Sequence, residues 1–158
     1  MKKLLTIFII LLFAAVAFAD SDSHVAVSNP IGQVAQVIDY DDFTDSGATS
    51  GTLSLTNTIP AGAIPIAWRA VVSTAFAGTG VSTVNLQAGV SGDVDRFSAS
   101  DGQSIAAAAT VGDSALGEAI GCDGMASAQT ILLTVTEDDD FTDITGGTLT
   151  FYMYYIRP

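Results

Sequence analysis

The feature that most constrains this chain is a repeated two-residue alternation of apolar and polar side chains, broken by glycine-rich turns. Strand side chains point to opposite faces in turn, so the pattern marks strands with one buried face. Residues 82–90 set Val84, Leu86, Ala88 and Val90 against Thr83, Asn85, Gln87 and Gly89. Residues 129–136 set Ile131, Leu133 and Val135 inward, and residues 51–57 do the same with Leu53 and Leu55. Residues 64–74 alternate Ile64, Ile66, Trp68 and Val72 against Pro65, Ala67, Arg69 and Ser73. Residues 147–156 carry Leu149, Phe151, Met153 and Tyr155 on one face and Tyr152, Tyr154 and Ile156 on the other. That apolar second face predicts a covered strand, with Tyr152, Tyr154 and Ile156 as an oligomer interface or a ligand platform.

A first strand is predicted over 33–40, turns over 59–62, 76–80 and 91–93, and a short strand over 95–98. Residues 99–124, with four alanines at 106–109, read as a loop with a helical turn. No amphipathic helix separates the strands, which disfavours a parallel βαβ sheet. About seven or eight short strands joined by such turns predict an all-β chain: an antiparallel β-sandwich, jelly-roll-like.

Residues 1–19 read as a secretory signal. Lys2 and Lys3 precede an apolar run, and Ala17-Phe18-Ala19 forms a small-x-small cleavage site. The run is shorter than the roughly 20 residues that span a bilayer. The expected organisation is a signal peptide over 1–19, an N-terminal arm over 20–33 and a sandwich domain over 34–158. The expected location is outside the cytoplasm, with no membrane attachment after cleavage.

The chain has 17 acidic and five basic residues, for a net charge of -12. Beyond the signal only Arg69, Arg96 and Arg157 are basic. A surface of this sign repels nucleic acid and anionic membrane. It offers no lysine for phosphate cradling or Schiff-base chemistry beyond position 3. One histidine, His24, and one cysteine, Cys122, build neither a His/Cys metal set nor an internal disulfide. His24 reads as a tail residue and Cys122 as a small buried one. A non-enzymatic role is expected.

The acids cluster. Asp41-Asp42-Phe43-Thr44-Asp45 precedes Gly51-Thr52-Leu53, and Asp139-Asp140-Phe141-Thr142-Asp143 precedes Gly147-Thr148-Leu149. Asp93 and Asp95 form a third cluster beside Arg96. Asp41, Asp42, Asp45, Asp93, Asp95, Asp139, Asp140 and Asp143 are therefore the candidate ligands for Ca²⁺, which takes several oxygens. None of the runs has the spaced EF-hand pattern, and the reading they favour is solvated loops whose Phe43 and Phe141 plug the core edge. If residues 93–96 are extended, the two carboxylates share a side; a glycosidase pair would also need a sugar-lined cleft.

Four blocks occur in order: residues 43–52, residues 59–64 with 75–78, residues 92–97, and residues 133–136 with 146–150. Together, over residues 43–156, they resemble small β-sandwich structural proteins encoded in the virion-gene regions of environmental tailed phages. That resemblance implies a virion-surface role, such as capsid decoration or fibre-like attachment, and assembly with copies of itself, a homotrimer first. The alternatives are a secreted adhesin or carbohydrate-binding module, and a filament subunit whose arm adds a strand to a neighbour at the cell surface.

Overall fold

The computed structural model describes residues 31–113 and 124–158. The signal, most of the arm, His24 and Cys122 lie outside the described residues. Nine strands are described: β1 (Ile31–Asp39), β2 (Thr44–Gly47), β3 (Ser50–Ile59), β4 (Ile64–Gly78), β5 (Val84–Gly89), β6 (Gln103–Ser104), β7 (Thr110–Asp113), β8 (Gln129–Glu137) and β9 (Ile144–Ile156). Two single-turn 3-10 helices, Tyr40–Asp42 and Phe141–Asp143, flank the sandwich at β1 and β9.

The strands form two antiparallel sheets, ordered β1-β9-β4-β7 and β2-β3-β8-β5-β6. The pairing is nested: β1 with β9, β3 with β8, β4 with β7 and β5 with β6. A long hairpin rolled up on itself gives this order, which is the jelly-roll arrangement. The β-sandwich expected from the alternation is the fold.

The inward faces make one core. Val84, Leu86, Ile131, Leu133, Leu149 and Phe151 are fully buried, and Leu55 and Trp68 are nearly so. Burying each such side chain contributes on the order of 1.5–3 kcal/mol. Trp68 stacks on Phe151, with ring centroids 5.7 Å apart.

Several expectations are corrected. Ile66 is half-buried and Ile64 is not in the core, because β4 shifts register between Pro65 and Ala67. Pro65 turns inward instead, opposite Tyr155. The turn expected at 76–80 is strand as far as Gly78, with Phe76 1% exposed. Phe76 keeps the parity of Trp68, Ala70 and Val72 and so points inward; it is Thr74, beside the register shifts, that leaves the pattern and is exposed. Residues 94–97 turn rather than extend, tied by the Ser98 N–H to the Asp95 carbonyl, 2.9 Å, and by a bridge between Val90 and Asp93. Residues 103–104 and 110–113 of the stretch expected to be loop are strands. The first strand starts at Ile31, inside the stretch read as the arm.

Candidate functional site

Two surfaces stand out, and they differ in charge. The first is the outer face of sheet β1-β9-β4-β7. Register fixes its rows: Val37, Thr150 and Val71; Ala35, Tyr152 and Arg69; Gln33, Tyr154 and Ala67; Ile31, Ile156 and Ile64. No carboxylate stands at any of these positions; the next row brings one onto the face, where the Thr148 hydroxyl donates to Asp39 Oδ1 at 2.7 Å. Val37 is 64% exposed, and Ile31 and Ile156 are exposed as well. Tyr152 and Tyr154, two residues apart on one strand, share the face by the pleat alone. Both are half-buried, with ring centroids 6.4 Å apart and planes 8° from parallel. The Arg69 guanidinium lies over the Tyr152 ring at 4.6 Å and over Tyr154 at 6.0 Å. Cation–π attraction of this kind holds the guanidinium to the rings. The alternation identified Tyr152, Tyr154 and Ile156; β1 and Arg69 join them only through strand pairing.

The second surface is the end of the sandwich where β1 and β8 finish and β9 begins. Asp39, Asp41, Asp42, Asp45, Glu137, Asp138, Asp139, Asp140 and Asp143 all lie there. The two echoed loops are brought together: Phe43 and Phe141 are buried edge-to-face at 6.4 Å, and Phe43 meets Phe76 at 6.1 Å. The Phe141 N–H donates to the Ala48 carbonyl and the Glu137 N–H to that of Thr49. The plugging of the core edge by both phenylalanines is what the sequence echo encodes.

The carboxylates at this end serve mostly as local acceptors. Asp42 Oδ2 accepts from the Asp39 N–H at 2.9 Å, Asp45 Oδ1 from Gly47 at 2.7 Å, and Asp140 Oδ1 from the Thr142 N–H and hydroxyl. Those two donors, the N–H first, lower the Asp140 pKa. Asp138, absent from the sequence reading, is the most engaged. It accepts from the Ser82 hydroxyl and from the Thr83 and Ser82 N–H groups, 3.0 Å each for the amides. The Ser82 hydroxyl first, then the amides, hold its carboxyl well below the usual carboxylate range. The Asp139 carboxylate faces the Gly80 backbone. Glu137, also missed, continues the inward parity of Ile131, Leu133 and Val135. It is 7% exposed; Oε2 accepts from the Asp139 N–H at 2.6 Å, while Oε1 is buried with no hydrogen-bond partner.

Asp93 and Asp95 sit at the opposite end, near Arg96, in the turn described above and so do not form the extended pair expected. Among the described residues no three His, Cys, Asp or Glu side chains converge on one point as a metal cage. No helix among them is long and apolar enough to cross a membrane.

No protein-family model and no curated protein sequence matches the chain. Among solved structures, a chain of the cyanophage Pam1 capsid asymmetric unit is similar in fold. The match covers 81% of this chain and 85% of that one, with a TM-score of 0.50 and 13% identity. At that identity the likeness is one of fold.

Proposed function

We propose that this chain is a structural, non-enzymatic subunit of a phage virion, displayed at the particle surface as a decoration or attachment protein and assembled with copies of itself. The observation that carries the proposal is an aromatic face whose four rows from Ile31 to Val37 hold no acid, on a chain with 17 acids. Like-charged subunits repel one another, so copies approach most easily where carboxylates are absent. The jelly roll shared with a chain of a phage capsid asymmetric unit supports the virion setting. A trimer is the first stoichiometry to test.

Jelly rolls also serve lectins, and the parallel tyrosines favour a second reading, a secreted carbohydrate-binding module. Arg69 weighs against it, since its guanidinium occupies ring surface that a sugar would need. Light scattering of the purified chain across a salt series separates the two. Assembly through this face strengthens with salt, because screening removes the repulsion, and Tyr152→Ser with Tyr154→Ser abolishes it. A monomer at every salt concentration that is retained on a glycan column through the same tyrosines would replace this reading with the second.

Export and calcium belong to the same proposal. Intact mass of the mature protein tests cleavage after Ala19. Calcium at the acidic end draws support from the Glu137 Oε1 oxygen that no donor satisfies. Ca²⁺ added to chelator-treated protein is expected to raise the melting temperature; an unchanged curve removes the cation from the reading.

A further inference from the structure

Four described strands end a sheet, and three of those edges are closed to pairing by their shortness. β2 and β7 have four residues each and β6 has two; β2 is also interrupted by a register shift between Asp45 and Gly47. β1 differs. Its nine residues pair with β9 in unbroken register, and no described strand lies beyond it. From Ile31 to Ile38 it has no charge and no proline, the devices that normally guard an edge. Its outward residues Ala35 and Val37 are exposed.

Charge selects the occupant and its direction. The C-terminal end of β1 runs into Asp39, Asp41 and Asp42. Its N-terminal end lies beside Ile156 on β9, and Arg157 follows at once. A strand paired in parallel from another copy would set the acidic ends side by side. An antiparallel one sets each acidic end beside the other copy's Arg157. Two strand spacings, about 10 Å, separate the charges, which is within reach of a long side chain.

We propose that β1 pairs antiparallel with β1 of a second copy about a two-fold axis at Ala35, joining two four-stranded sheets into one. Centring on Ala35 sets Gln33 opposite Val37 across the axis and brings Asp39 level with Ile31. The axis runs perpendicular to the sheet, so the outer faces of both copies lie on the same side and stay open. The edge contact is thus separate from the face contact proposed above and does not depend on the virion assignment.

Sedimentation of the full chain over a concentration series tests it, with melting curves confirming that each variant folds. The chain is expected to form a reversible dimer. Val37→Lys, at a 64% exposed position, guards the edge and weakens the dimer. Arg157→Glu weakens it about tenfold, since two symmetric attractions become repulsions, and adding Asp41→Arg restores it to within about threefold. Tyr152→Ser leaves it unchanged. Hydrogen exchange in residues 31–38 slows on dimer formation. A monomer at every concentration, a dimer indifferent to Val37→Lys and Arg157→Glu, or a monomer whose β1 amides are already protected by another part of its own chain would each overturn the proposal.

Discussion

The indole N–H of Trp68 donates to the carbonyl of Phe97 at 2.7 Å, inside the core. The bond ties the middle of β4 to the turn after β5, which belongs to the opposite sheet. Phe97 is itself 1% exposed, and its N–H donates to the Ala88 carbonyl at 2.9 Å. The two layers are therefore fastened by a buried polar contact as well as by packing.

Trp68→Phe keeps most of the ring but leaves the Phe97 carbonyl without its donor. A loss of about 1–3 kcal/mol is expected in denaturant melts. Trp68→Ala removes the stack on Phe151 too and should cost about 3–5 kcal/mol. An unchanged melt for Trp68→Phe would show that the hydrogen bond contributes nothing, and equal costs for the two variants that the stack adds nothing beyond it.

Gly147 has φ +146°, and a Cβ there would lie 2.5 Å from the Phe76 ring. Gly147→Ala combines backbone strain with overpacking against a fully enclosed ring, and at least about 2 kcal/mol should be lost. At Gly51 the same substitution meets the Phe141 ring at 2.1 Å. Phe141 lies at the sandwich end and can swing outward, so Gly51→Ala should cost less. Thermal melts of the pair test the order.

Asp138 is bonded to Ser82 and Thr83, and its folded pKa lies below the ordinary 3.8. A group with a depressed folded pKa lends its full stability above the unfolded value and loses it as pH falls toward the folded one. Asp138→Asn should therefore lower the melting temperature near neutral pH and converge on the parent curve toward about pH 2. A constant gap across that range would assign the effect to shape rather than charge.

Glu137→Gln keeps an acceptor for the Asp139 N–H and removes a buried negative charge, setting an amide nitrogen where the unpaired oxygen lies. In chelator the variant should be more stable by about 1 kcal/mol. If a cation uses that oxygen, adding Ca²⁺ reverses the order, because only the carboxylate gains a ligand. Melts in chelator and in Ca²⁺ read both signs.

The echo of Phe43 and Phe141 was legible as a pair of plugs, because an aromatic between acids has few other uses. That the plugs touch each other was not legible, because residues 43 and 141 meet only once the rolled hairpin closes. Ile66 was misplaced for a related reason. Alternation propagates along a strand until a bulge shifts it, and the β4 bulges follow from its partner β9 and not from any local residue type.

The sequence by itself determined the all-β class, the inward rows of β5, β8 and β9, and the unusual tyrosine face of the last strand. These follow from the pleat, which is local and has a period of two. Only the tertiary structure decided that nine carboxylates share one end, that Arg69 covers Tyr152, and that β1 carries a long regular edge while the other edges are short. Those properties depend on which strands become neighbours. Neighbour choice is settled by burying all the inward rows in one core, a condition that no single segment contains.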